Sequence, residues 1–173
     1  EIGVRLVGSE MCKETGLQTV ERSDTISLAA LTEEVFCDLD PVAEKHQVRL
    51  IQTDGDCTVT GSYILLYRAV YNLVENAIKY NRPSGSVTVS IHTAESAVLE
   101  VTDTGIGISP ENQEKIFDPF YRVDKSRSRA MGGAGLGLAL VSEIARQHNG
   151  QVKVTQSSEK GSTIALMLPV TLL

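Results

Sequence analysis

Apolar residues recur at two distinct periods along this chain, and each change of period marks an element. Between Leu28 and His46 the apolar positions Leu31, Val35, Leu39 and Val42 repeat every three or four residues, which predicts a helix. Pro41 falls inside that run and predicts a kink or a boundary, because proline lacks an N–H and crowds the preceding turn. Ser62 suits the N-cap of a long helix over Tyr63 to Tyr80, with Val70, Val74, Ala77 and Ile78 turned inward. A third helix, Leu136 to His148, closes at Asn149-Gly150. Elsewhere the period drops to two. Val87, Val89 and Ile91 alternate with polar residues, and Val98 to Thr102 follows across Ala94-Glu95-Ser96, which predicts a hairpin. Val152 to Thr155 and Thr163 to Leu168 predict a second one. Val20 to Ser27 reads as an edge strand, and Val48 to Gln52 and Cys57 to Thr60 as short strands joined by the Asp54-Gly-Asp56 turn. Pro110 fits the first turn of a short helix ending near Ile116. Residues 1–17 are weakly patterned and read as a linker or the remnant of a preceding helix, leaving 18–173 as the main domain. These elements predict an α+β fold in two layers, a mixed, mainly antiparallel sheet of about five strands with about three main helices on one face.

A chain of 173 residues can bury a core without staples. Its 16 basic and 22 acidic residues give a net charge of −6, which argues against nonspecific binding to nucleic acid or anionic membrane. A phosphate ligand would therefore need a local basic cluster, and Arg122, Lys125, Arg127 and Arg129 form one. Cys12, Cys37 and Cys57 make no CxxC pair and no zinc pattern with His46, His92 or His148, so they read as reduced thiols. No apolar run approaches the ~20 residues that span a bilayer, and no signal peptide opens the chain, so no membrane insertion by this segment is expected.

Three segments carry candidate chemistry. Asn72, Asn76 and Lys79, spaced by four and three, share one face of the long helix. Asparagine is a mediocre helix former, so its repetition there asks for another reason, and an amide carbonyl can serve a hard divalent cation. Asp103 follows a predicted strand and opens Asp103-Thr-Gly-Ile-Gly107, where Gly105 and Gly107 let backbone approach a ligand. Its carboxylate can accept a hydrogen bond from an exocyclic amine such as that of adenine. Gly132-Gly-Ala-Gly-Leu-Gly-Leu138 opens a helix, where free N–H groups favour phosphate. No Gly-Lys-Ser/Thr follows, so it is not a Walker loop, and no βαβ unit begins there, so it is not a dinucleotide fingerprint.

Taken in order, Asn72–Tyr80, Asp103–Gly107, Phe117-Asp-Pro-Phe-Tyr-Arg122 and Gly132–Leu138 resemble the boxes of the catalytic, ATP-binding domain of sensor histidine kinases, over about Thr19 to Pro169. The resemblance implies the Bergerat-type fold shared with gyrase, Hsp90 and MutL, with ATP and Mg2+ as ligands. It implies that Asn76 is a magnesium ligand with Asn72 beside it, that Lys79 and Arg122 meet the phosphates and act in transfer, and that Tyr80 borders the adenine. It further implies that Asp103 accepts from the adenine amine in a pocket shaped by Gly105 and Gly107, and that Phe117 and Phe120 anchor the base of a lid. Gly133, Gly135, Leu136, Gly137 and Leu138 would bring that lid to the triphosphate, and Thr163 of Gly161-Ser-Thr163 would represent the last box.

The ATP-hydrolysing members of the wider superfamily place a glutamate four residues before the magnesium asparagine. Here that position is Asn72, whose amide cannot take a proton near neutral pH. Glu75 projects about 100° away around the helix and substitutes poorly. None of His46, His92 and His148 sits in the family's phosphoacceptor pattern, so the histidine substrate is expected on a dimerisation domain outside this chain, with a response regulator downstream. The resemblance also implies a cytoplasmic position, with the full-length protein anchored in the membrane. Two other readings share these parts: a regulatory ATP-binding module, and an ATP-driven clamp of the gyrase or Hsp90 kind.

Overall fold

The computed structural model describes residues 24–122 and 137–171. In chain order the elements are β1 (Asp24–Ser27), α1 (Leu28–His46), β2 (Arg49–Gln52), β3 (Thr58–Gly61), α2 (Tyr63–Lys79), β4 (Ser86–Thr93), β5 (Ala97–Asp103), two 3-10 turns (Pro110–Asn112 and Lys115–Phe117), α3 (Gly137–Gln147), β6 (Gln151–Ser158) and β7 (Gly161–Leu168). Five strands form one sheet in the order β2-β4-β5-β7-β6, and β1 and β3 form a separate two-stranded sheet. The β2–β4 pair is parallel and the other pairs of the large sheet are antiparallel. This is the α+β, two-layer arrangement expected from the pattern.

Strand alternation decides which side meets the helices. Val87, Val89 and Ile91 of β4 stand opposite Asp103, Val101 and Leu99 of β5, and Val101 and Leu99 stand opposite Ile164 and Leu166 of β7. Apart from Asp103, all of these are buried. Onto this side α1 lays Leu31, Val35 and Leu39, α2 lays Leu66, Val70, Leu73, Val74 and Ile78, and α3 lays Val141 and Ile144. Each large aliphatic side chain so buried stabilises the fold by roughly 1.5–3 kcal/mol. The register carries one consequence for function. Because Leu99 and Val101 face the helices, Asp103, two residues on, ends β5 on the same side.

Ser27 and Ser62 cap α1 and α2, their hydroxyls accepting from the N–H groups of Ala30 and Leu65. Strands β2 and β3 are joined across Asp54-Gly-Asp56 as expected, and they belong to different sheets. The reason is Asp56, whose carboxylate is committed to the start of α1. It accepts from Ala29 N (2.9 Å), Cys57 N (2.8 Å) and Ser27 Oγ (2.8 Å), so the loop crosses to the helix rather than turning back. Pro41 neither ends nor bounds α1, which runs through it to His46. Pro41 and Cys37, whose carbonyl loses its partner, are both exposed, so water can satisfy that group. The segment after Pro110 forms two 3-10 turns instead of one helix.

His148 joins the ends of two helices. It is 3% exposed, its Nδ1 lies 2.8 Å from the Ile144 carbonyl, and its Nε2 accepts from Ser62 N at 3.1 Å. The C-terminus of α3 is thereby fixed to the N-cap of α2. Among the described residues no helix is long and apolar enough to cross a membrane.

Asp56→Ala removes two hydrogen bonds at the start of α1 and one to Cys57 N, and is expected to destabilise the domain by about 1–3 kcal/mol, read as a shift in urea midpoint at unchanged slope.

Candidate functional site

The two flanks of α2 do different things. Toward α1, the Tyr63 hydroxyl donates to Glu34 and the Tyr67 hydroxyl to Asp38. Those acceptors push the Tyr63 hydroxyl up to about 12, so it stays a donor at neutral pH. On the opposite flank lie Asn72 and Asn76, both half-buried. The start of α3 comes against this flank: a Cβ placed on Gly137 would lie 3.1 Å from Asn72 Oδ1. The described start of α3 therefore lies beside the asparagine flank. The Asn72 amide donates to the Arg68 carbonyl one turn earlier at 2.8 Å, and Lys79 Nζ donates to Glu75 Oε1 at 2.8 Å.

The acidic turn meets the far end of the same helix. Tyr80 ends α2, and a Cβ on Gly105 would lie 2.3 Å from the Tyr80 carbonyl oxygen and 2.9 Å from Asp103 Oδ1. Only glycine lets the turn pack that closely. Gly107 adopts φ +76°, and a Cβ there would meet the Ser158 carbonyl at 2.0 Å. The turn is thus held between the end of α2 and the β6–β7 hairpin. Asn81 ties the same end: its side chain donates to Ser86 O (2.8 Å) and accepts from Thr104 Oγ1 (2.9 Å), which itself accepts from Ser86 N. From Asn72 to Tyr80 is about 12 Å along the axis at 1.5 Å per residue, so one helix carries the amides, the lysine and the contact with the acidic turn.

Asp103 Oδ1 accepts from Gly105 N (2.8 Å) and Ser162 N (3.3 Å), and Oδ2 accepts from Ser162 Oγ (2.9 Å). Burial pushes its carboxyl above the ordinary carboxylate value, while those three donors hold it down in part. Within Gly161-Ser-Thr163 it is Ser162, not Thr163, that meets Asp103. Thr163 points to the other side of the sheet, where its hydroxyl pairs with that of Thr102 at 2.9 Å. The cause is parity: Ser162 stands opposite Asp103 in the register, and Thr163 opposite Thr102.

Phe117 ends the second 3-10 turn and packs on the core, and Leu138 of α3 packs there also. Phe120 does not anchor anything by burial. It is 71% exposed at φ +64°, and Tyr121 takes the inward place, donating its hydroxyl to Asn112. Arg122 is half-buried. Gly133, Gly135 and Leu136, with Lys125, Arg127 and Arg129, lie outside the described residues. A cavity of about 240 Å³ lies at the other end of α2, lined by Val59, Leu66, His148, Leu168 and Val170. It offers no charged side chain to a phosphate and is distinct from the Asp103 site.

The raised Asp103 value gives stability a pH dependence. Ionisation costs more in the folded chain than in the unfolded one, so stability is highest below the unfolded value and falls as pH rises through the raised folded value. In Asp103→Asn that component disappears. The stability of the variant relative to the parent should therefore rise with pH across this window and then level off, as urea denaturation at several pH values would show. A difference independent of pH would contradict it.

The sequence matches the model of the family described as "Histidine kinase-, DNA gyrase B-, and HSP90-like ATPase" over residues 61–172. The sensor-like histidine kinase SenX3 of Mycobacterium tuberculosis is 37% identical over 164 residues, covering 92% of this chain and 40% of its own length. The chain thus spans well under half of that relative. The structure of the mycobacterial sensor histidine kinase MprB superposes with a TM-score of 0.72 at 27% identity, covering 87% of this chain and 99% of that one. Histidine kinase ThkA, solved in complex with response regulator protein TrrA, shares the fold with a TM-score of 0.69 at 21% identity, covering 98% of this chain and 49% of that one. With its helix pair, acidic glycine turn and five-stranded sheet, the chain belongs to the histidine kinase-, DNA gyrase B- and HSP90-like ATPase family.

Proposed function

We propose that this domain binds magnesium ATP along the asparagine flank of α2 and presents its γ-phosphoryl group to a histidine on a dimerisation domain of the full-length protein. The observation that carries this reading is the junction of Gly105 with the Tyr80 carbonyl, which puts the Asp103 carboxylate at the end of the helix bearing Asn72, Asn76 and Lys79. Asp103 accepts from the adenine amine, with Ser162 and the Gly105 N–H fixing its oxygens and Gly107 holding the turn. Tyr80 borders the base. Lys79 and Arg122 are assigned to the phosphates, as are the N–H groups of Gly133, Gly135 and Gly137. Leu136 and Leu138 are assigned to the same ligand, and Leu138 and Phe117 pack on the core. Thr163 we assign to the sheet rather than to the ligand.

The residues present suit a hard cation: Asn76 offers an amide carbonyl and would hold magnesium. Bound there, the cation would offset phosphate charge. Transfer of this kind rests on positioning and electrostatics, and the chain's own part is to orient the triphosphate and keep water unproductive. Asn72 stands where a general base would have to be, and its amide cannot take a proton. Hydrolysis is therefore slow, and the phosphoryl group waits for an imidazole brought from outside. From the family, a response regulator then receives it, and residues 18–173 act as the catalytic domain with 1–17 linking to the dimerisation helices. This places the domain in the cytoplasm, with the full-length protein anchored at the membrane.

Mixing the domain with a separately produced dimerisation domain, Mg2+ and labelled ATP tests the reading. Phosphohistidine should form on the partner, and its absence from correctly folded partners would refute the transfer. Asn76→Ala should abolish the magnesium-dependent part of ATP affinity in a titration with and without the metal. Asp103→Asn should cut the preference for ATP over GTP by about 1–3 kcal/mol, the range for losing a hydrogen bond to a charged group.

A further inference from the structure

We propose that Glu75 competes with the nucleotide's phosphates for Lys79, so that the chain carries an internal anion that limits how tightly a charged ligand is held. The proposal rests on the reading of Lys79 as the phosphate-facing lysine. Lys79 Nζ lies 2.8 Å from Glu75 Oε1, one turn earlier, with the two side chains 27% and 26% exposed. A glutamate four residues before a lysine is the favourable order for such a pair.

Glu75 lies one turn beyond Tyr71, whose hydroxyl is pushed up first by burial and then by the neighbouring Glu75 charge. The Tyr71 ring lies 6.2 Å from that of Tyr67, and Tyr67 is held by Asp38 of α1. The tyrosine flank of α2 thus runs from α1 to Glu75 and ends at Lys79. An ammonium has three donors and no acceptor, and carboxylate and phosphate oxygens are the same kind of partner for it. A ligand phosphate must displace or share the carboxylate already in contact. Affinity for ATP then leans on the contacts around Asp103 and on the cation, not on Lys79 alone.

A double-mutant cycle decides, with magnesium ATP titrated into the parent, Glu75→Gln, Lys79→Gln and the double variant. Glu75→Gln is expected to tighten ATP by about two- to five-fold, the range a part-exposed ion pair supplies, and by less at high salt. In the Lys79→Gln background that gain should largely vanish. A gain that persists undiminished there would mean through-space repulsion and would overturn the competition. So would a Glu75→Gln protein that binds ATP no better than the parent while Lys79→Gln binds it worse. If Lys79→Gln alone leaves ATP affinity unaltered, the placement of Lys79 at the phosphates fails, and the competition with it.

Discussion

The whole site depends on one close approach between two backbones. The Gly105 Cα sits so near the Tyr80 carbonyl that even a methyl group would lie 2.3 Å from its oxygen. Through that contact the end of β5 and the end of α2 meet, although the sheet and helix layers are elsewhere separated by side chains. The Asn81–Thr104–Ser86 hydrogen bonds hold the same junction from the other side. Without it, Asp103 would end a strand with no fixed relation to Asn72, Asn76 and Lys79. Replacing either glycine of the turn adds volume where carbonyl oxygens already stand, and at Gly107 also requires a left-handed φ that side chains resist.

Burial and hydrogen bonding act on Asp103 in opposite senses, and the balance has a use. A carboxylate taken out of water costs free energy unless donors surround it. Three donors from Gly105 and Ser162 meet it, yet burial still wins, and its value rises. An ionised acceptor in that setting gains from one more donor, which an exocyclic amine provides. A base presenting a carbonyl oxygen at the same point would set two acceptors against each other. Discrimination on the proposed reading thus comes as much from that repulsion as from the bond to adenine.

Most of the fold was legible because its signals are local. The periodicity of Leu31, Val35 and Leu39 gave α1, and Ser62 marked the start of α2 where its hydroxyl indeed caps Leu65. What was not legible is where a tertiary contact decides. Asp54-Gly-Asp56 joins β2 to β3, but that the two strands enter different sheets follows from the carboxylate of Asp56 being spent on the start of α1, a contact invisible in the sequence. The alternation of Ile164, Leu166 and Leu168 puts Ser162, not Thr163, on the helix side. Only the β5–β7 register makes that parity matter, by setting Ser162 against Asp103. The same holds for Phe120, whose left-handed φ turns it to solvent and leaves the inward place to Tyr121.

On the proposed reading helix α2 serves packing and ligand at once, and its two flanks divide the work. Apolar residues bind it to the sheet, and tyrosines paired with acidic groups bind it to α1. The remaining flank is free to carry asparagines that a purely structural helix would avoid. Asn72 offsets part of that cost by donating to the Arg68 carbonyl, a bond open to a side chain one turn on. The same bond commits the amide, so the position that could host a base holds a group that is both unprotonatable and already engaged. Glu75, the nearest carboxylate along the helix, is bound to Lys79. On the proposed reading, with Asn72 unable to take a proton and Glu75 turned about 100° away around the helix, a phosphoryl group held along this flank is kept for a nucleophile that arrives with its own geometry.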